Sequence, residues 1–290
     1  MDEIHSLHPM RFRSIFVSDI HLGFKGCQAR LLLDFLRSSR CDNLFLVGDI
    51  IDVWNMRNGL YWPQSHNDVI RTILGKAKHG TRVVYIPGNH DEVFRDYDGV
   101  RFGNLSIHLD YIHTTADGRR LLLLHGDEFD SVVKCSPWLA HLGSWAYALL
   151  LRLNRYVNRL RRRFGYRYWS LAAFLKHRVK NAVNYIANFE EAVARSARQR
   201  GVDGLVCGHI HRPEIRQMGG VLYCNDGDWV ESCSALVEHR DGRLELLDWT
   251  GRAIRDDKHG ALTSDLPPVA RRLQFEKDAW LSMTAGFESL

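Results

Sequence analysis

Five short apolar runs each break into side chains able to hold a metal ion. Residues 16–23 read FVSDIHLG, with Asp19 and His21 two positions apart. Alternate residues at a strand end project the same way. A hard carboxylate and a borderline imidazole then grip one divalent ion together. Alone, such a pair is equally a polar strand exit. Four later stretches repeat the device: LFLVGDIID at 44–52, VVYIPGNHD at 83–91, LLLLHGD at 121–127 and LVCGHIH at 205–211.

The ligand-type side chains gathered this way are Asp19, His21, Asp49, Asn89, His125, His209 and His211. They are two carboxylates, four imidazoles and one amide oxygen. One ion takes about four to six ligands, so the set suits two ions sharing a carboxylate. Mixed oxygen and nitrogen donors suit manganese, iron or zinc better than calcium or magnesium. Manganese is the first expectation, iron and zinc the alternatives. Two such ions roughly 3.5–4 Å apart clamp a phosphoryl group and supply a hydroxide near neutral pH. His90 follows Asn89 and faces the same rim, and imidazole suits proton transfer near pH 7. Asp52 lies close enough to Asp49 to hold that ring, its other reading being a helix N-cap.

Strands must position these groups. Parallel strands carry their carboxyl ends along one edge of a sheet, where α/β proteins place their sites. Strands are expected at 12–18, 44–47, 83–86, 105–108, 111–115, 120–124, 204–207, 221–223, 235–239 and 244–249. Helices are expected at 27–38, 68–78 and 168–200, and 55–63 reads as a loop. Trp138, Leu142, Trp145 and Leu149 form a helical stripe that Arg152, Arg155 and Arg159 continue on a basic face. The core is expected at 12–130 and 200–250 in one domain. A helical, basic and aromatic insert at 131–199 packs on it, and 251–290 is an appendage, with a helix at 269–280.

Composition is that of a globular protein, 45% hydrophobic and 25% charged. No apolar run reaches the roughly 18 residues that span a bilayer. The first ten residues mix acid, histidine and proline, so no secretory leader is expected. The cysteines form no C-x-x-C pair and several sit in apolar strands, which fits reduced thiols and a cytoplasmic setting. Net charge is +5, yet residues 131–189 hold 11 Lys or Arg and no Asp or Glu. That leaves the rest of the chain net acidic and points the insert toward an anionic partner. A bilayer surface is one such partner. Nucleic acid is a less favoured one, and packing on the core with solvated arginines is the bland reading.

The ordered motifs resemble those of the calcineurin-like metallophosphoesterase superfamily. Its signature D-x-H, G-D-x-x-D, G-N-H-D/E, H and G-H-x-H is matched by Asp19/His21, Gly48-Asp49/Asp52, Gly88-Asn89-His90-Asp91, His125 and Gly208-His209/His211. The resemblance implies a four-layer α/β/β/α sandwich with a dinuclear site. It places Asp19, His21 and His211 on one metal, Asn89, His125 and His209 on the other, and Asp49 between them. It implies a metal-bridging hydroxide that attacks phosphorus. His90 then protonates the leaving oxygen or clamps the phosphoryl group, oriented by Asp52. Many relatives carry arginine after this second Asp, where this chain has Val53.

Closer detail resembles the UDP-2,3-diacylglucosamine pyrophosphohydrolase branch, through SDIHLG at 18–23, GDIIDVW at 48–54, HGDEFD at 125–130, GHIHRP at 208–213 and NDGDW at 225–229. That branch splits the pyrophosphate of a lipid nucleotide at the inner membrane face, in lipid A biosynthesis, with a helical insert as lid. The resemblance implies a lipid-nucleotide substrate and a cytoplasmic enzyme peripheral to the inner membrane; Trp54, Arg152 and Arg155 are the candidate substrate contacts. The branch has Arg where this chain has His90, and a Glu-like residue at Asp52. A phosphodiesterase acting on a nucleotide or nucleic acid is therefore the alternative. A non-catalytic scaffold comes last, since no ligand is missing. The sequence leaves the oligomeric state open.

Overall fold

The computed structural model describes residues 9–57, 59–130 and 171–250, with side chains left aside at 171–184. The 138–159 stripe, Arg152, Arg155 and the 251–290 appendage lie outside the described residues. The first sheet is seven-stranded, in the order β12-β11-β1-β2-β3-β5-β4. It contains β1 (Met10–Val17), β2 (Ser39–Val47), β3 (Arg82–Ile86), β4 (Arg101–Phe102), β5 (Leu105–Ile107), β11 (Ser234–Glu238) and β12 (Leu244–Asp248). The second is five-stranded, in the order β6-β7-β8-β10-β9. It contains β6 (Tyr111–Thr114), β7 (Arg120–Leu123), β8 (Gly204–Cys207), β9 (Glu214–Met218) and β10 (Val221–Asn225). β1, β2 and β3 run parallel, as do β7, β8 and β10. Each of the five motifs thus leaves the carboxyl end of a parallel strand: β1, β2, β3, β7 or β8.

Three apolar clusters make four layers. Phe16, Phe45, Val84 and Ile86 of the first sheet meet Leu121, Leu123, Val206 and Cys224 of the second. Helices α1 (Ala29–Ser38) and α3 (Gln64–Lys78) cover the outer face of the first sheet, burying Leu32, Phe35, Val69 and Ile73. On the far side Tyr185, Phe189, Val193 and Ala197 of α4 (Leu171–Gln199) pack on Leu122, Leu205 and Tyr223. The layers are α/β/β/α. Among the described residues no helix is long and apolar enough to cross a membrane.

Several boundaries differ from the sequence expectation. β2 begins at Ser39, directly after α1, because Ser39 and Cys41 alternate inward while Arg40 and Asp42 face solvent. The polar half of that alternation hides it from a search for apolar runs. A short helix, α2 (Val53–Arg57), replaces the start of the expected loop. α3 begins at Gln64, a turn early, and its polar first turn lacks the apolar periodicity. The edge strands β4 and β9 have no apolar run at all and were not legible.

The sheets are also tied by a buried charge. Glu238 of β11 is fully buried. It accepts hydrogen bonds from Arg13 (2.6 Å), Ser14 Oγ (2.5 Å), the Ala116 N–H (2.8 Å) and His113 Nε2 (2.8 Å). Burial favours the neutral acid, but the bonds from His113, Ser14 and Ala116 outweigh it and pull the pKa down to about 2. A depressed folded pKa adds stability that is present above the unfolded value and lost as pH falls through the folded one. Glu238→Gln keeps the shape and removes the charge. It is expected to cost about 2 kcal/mol at pH 7. The gap to the parent should close between about pH 4.5 and pH 2 in urea unfolding. A gap independent of pH would contradict the assignment.

Candidate metal centre

The backbone brings the strand ends together before any side chain acts. The Asp19, His21 and Leu22 N–H groups donate to Gly48, Asp49 and Ile50 carbonyls at 2.9–3.0 Å. The β1 and β2 exits therefore run side by side. Asp19, His21, Asp49, His209 and His211 all take left-handed φ angles of 48° to 70°. Such angles are uncommon outside glycine and cost on the order of 1–3 kcal/mol each, so they persist where surrounding structure over-determines them. Two glycines make room. A Cβ on Gly88 would lie 2.3 Å from Asp49 Oδ1, and one on Gly208 2.3 Å from Asp19 Oδ2. Any side chain at either place would fill the pocket.

Asp91, absent from the sequence-derived site, is what knits two of these loops. It is fully buried. It accepts the Gly88 N–H (2.6 Å), the Ile50 N–H (2.8 Å) and the Tyr85 hydroxyl (2.5 Å). Burial and the nearby Asp49 charge push its pKa up. Asp91→Ala strands those donors and is expected to cost about 3–5 kcal/mol in urea unfolding. A loss under about 1 kcal/mol would show that the loops hold themselves.

The ligand atoms converge. His211 Nε2 is 3.0 Å from Asp19 Oδ1, and His125 Nε2 is 3.4 Å from Asp49 Oδ2. His21 Nε2 is 3.9 Å from both Asp19 Oδ1 and Asp49 Oδ2. Three trios have donor atoms mutually within 4.8 Å: Asp19/His21/His211, His21/Asp49/His90 and Asp19/Asp49/His125. His209 joins none of the three. His209 Nε2 donates instead to Asp130 Oδ1 at 2.9 Å, while its ring packs 5.1 Å from that of His125.

Whether a cation suits this pocket is decided by unsatisfied atoms. His21 Nε2, Asn89 Oδ1 and His125 Nε2 are buried without hydrogen-bond partners. Buried polar atoms are ordinarily paired, and leaving them unpaired costs free energy. Each histidine spends its other nitrogen on an acceptor: His125 Nδ1–H on the Val47 carbonyl (3.0 Å), and His21 Nδ1–H on Asp52 (3.2 Å). That fixes the tautomer and turns the Nε2 lone pair inward, as in histidines that bind metal. The donors fit divalent cations.

Asp52 serves two purposes. Oδ1 accepts the Asn55 N–H (2.8 Å), capping α2, and also lies 3.0 Å from His90 Nδ1. Burial raises its pKa, but the bonds from His21 and His90 overcome this and hold it well below the carboxylate range. Burial works against charge on His90, yet Asp52 and then Asp49 raise its pKa. Likewise burial opposes ionisation of Asp49, while His125 brings it down to about 2. The exposed Trp54 ring lies 4.6 Å from that of His90. The NDGDW segment, quoted above only as a similarity, lies behind the ligands. Asp226 lies 2.6 Å from the Ser18 hydroxyl, itself 2.6 Å from Asp19, and Asp228 Oδ2 is 3.9 Å from His211 Nδ1. No spacing rule singles out these supports, because they reach the site only through the fold.

A family model described as calcineurin-like phosphoesterase matches residues 12–213. The chain belongs to the calcineurin-like phosphoesterase family. It is a phosphoester hydrolase, and the family implies divalent metals. Proteins named UDP-2,3-diacylglucosamine hydrolase are its relatives. That of Neisseria meningitidis serogroup B is 26% identical over 77% of this chain and 92% of its own length. That of Azotobacter vinelandii is 27% identical over 71% and 84%, and that of Xanthomonas oryzae pv. oryzae 28% over 79% and 96%. Among solved structures, Yfce, a phosphoesterase from E. coli, aligns with a TM-score of 0.41 at 20% identity over 83% of this chain and 96% of that one. Vps29 from Entamoeba histolytica, complexed with zinc, aligns at 0.39 with 16% identity over 81% and 90%.

Proposed function

We propose that this phosphoesterase hydrolyses the pyrophosphate of a lipid nucleotide of the UDP-2,3-diacylglucosamine type. The observation that carries the reading is the convergence of five parallel strand ends on one pocket, in which His21 Nε2, Asn89 Oδ1 and His125 Nε2 are buried without hydrogen-bond partners. Asp19, His21 and His211 would hold one divalent cation, Asn89, His125 and His209 a second, and Asp49 would lie between them. Manganese is the favoured ion. When bound, the pair would neutralise phosphoryl charge and supply a nucleophilic oxygen near neutral pH.

The chain's own residues do the rest. His90 gives a proton to the leaving oxygen, and Asp52, 3.0 Å from Nδ1, keeps Nε2 turned to the rim. The Asp49 carboxylate fixes the His90 backbone through its N–H at 2.8 Å. Trp54 walls the side from which the leaving group departs, with its indole N–H on Glu92 at 3.3 Å. Arg152 and Arg155, in the basic insert proposed at 131–199, would meet the anionic substrate and the inner-membrane surface from the cytoplasmic side.

A specific observation favours a second reading, a phosphodiesterase acting on a nucleotide or nucleic acid: His90 stands where the lipid branch carries arginine, and it already has a carboxylate partner. A panel assay in manganese decides. UDP-2,3-diacylglucosamine is expected to be cleaved at least about tenfold faster than bis-p-nitrophenyl phosphate, a cyclic nucleotide or single-stranded DNA, a transition-state preference of about 1.4 kcal/mol. Preference for any diester, with the lipid nucleotide untouched, would select the second reading.

A further inference from the structure

His209 Nε2 is held from outside the ligand set. Asp130 follows the short turn at Asp127–Phe129, which is closed by the Phe129 N–H on Gly126 O and the Asp130 N–H on Asp127 O, both 3.1 Å. The turn aims the Asp130 carboxylate back at the pocket. Oδ1 accepts from His209 Nε2 at 2.9 Å and from the Tyr185 hydroxyl at 2.5 Å. Tyr185 is buried on α4, and one turn further along the same helix the Phe189 ring lies 5.8 Å from that of His209. The His209 backbone N–H donates to Asp19 Oδ2 at 2.9 Å. Main chain, ring face and Nε2 are therefore each occupied, and Nδ1 is the nitrogen that remains.

We infer that Asp130 and Tyr185 are positioning residues for His209, fixing its ring so that Nδ1 is presented to a divalent cation. This rests on the cation reading above. Carboxylates that receive the second N–H of a ligating histidine set its tautomer and raise its basicity, and losing one typically weakens metal binding about 10–100-fold. The hydroxyl of Tyr185 pins the carboxylate in turn. One consequence is that α4 contributes to the site without supplying a ligand.

The test uses the full chain with Asp130→Ala, Asp130→Asn and Tyr185→Phe. Nitrogen-detected NMR of the histidine rings reads the cation-free protein, and calorimetric titration reads Mn²⁺ binding. In the parent, His209 is expected as the Nε2–H tautomer. Asp130→Ala should mix the tautomers and weaken one Mn²⁺ equivalent about 10–100-fold, leaving the other unchanged. Asp130→Asn keeps an acceptor and should restore most of both signals. Tyr185→Phe keeps the buried ring, removes only the hydroxyl, and should fall between them. An unchanged tautomer with unchanged Mn²⁺ affinities in Asp130→Ala and Tyr185→Phe would overturn the inference. A parent protein that takes up no Mn²⁺ would overturn the cation reading instead, while the tautomer measurement would still decide what Asp130 does.

Discussion

Replacing Asp49 by alanine is expected to lower hydrolysis of bis-p-nitrophenyl phosphate in manganese by at least about a thousandfold, about 4 kcal/mol of transition-state stabilisation. The Asp49 carboxylate lies between two candidate ligand imidazoles and His90. Its Oδ2 lies 3.4 Å from His125 Nε2, 3.9 Å from His21 Nε2 and 4.0 Å from His90 Nε2. Its Oδ1 accepts the His90 N–H. Without it, two inward-facing imidazoles lose the anion between them, and cation uptake should fall together with activity. Elemental analysis after manganese loading reads that second quantity. Asp49→Asn keeps the volume and removes the charge, so it separates charge from packing: both variants should fail alike. Activity within about tenfold of the parent in either, a difference of at most about 1.4 kcal/mol, would remove Asp49 from the centre of the site.

His90→Ala should behave differently. The imidazole is on the rim, its Nδ1 committed to Asp52, and the buried ligands do not depend on it. Manganese content is expected to stay at the parental level while kcat falls about 10²–10⁴-fold, the usual worth of a positioned general acid. The loss should grow with the basicity of the leaving group: small for p-nitrophenolate, which departs unaided, and large for the alkoxide of an alkyl phosphodiester. Equal losses across leaving groups would mean that His90 clamps the phosphoryl group and gives up no proton. Loss of metal in step with activity would make it a ligand, as its place beside His21 and Asp49 permits.

The sequence carried more of the candidate ligand set than of its supports. Asp19, His21, Asp49, His125 and His211 were legible because each ends an apolar run, and burial of parallel strands on both faces produces such runs. The parallel order of β1, β2 and β3 followed for the same reason. β9 was not legible, because an edge strand alternates Glu214 and Arg216 with half-buried neighbours and needs no apolar run. Asp91 was quoted inside a motif but its task was hidden: a carboxylate that binds backbone N–H groups has no preferred partner in sequence. Asp130 and Tyr185 stand 55 positions apart and meet only once α4 docks. Left-handed angles at five polar residues were equally invisible, since composition favours them only at glycine.

The donors come from two different sheets. Asp19, His21, Asp49 and Asn89 hang from the first, and His125, His209 and His211 from the second. A cation binding here is therefore a staple between two halves of the molecule. Its affinity becomes a gauge of how firmly the halves are closed, and a cavity made between the sheets, at Phe45 or Val206, should register at the metal as weakened uptake before the protein visibly unfolds.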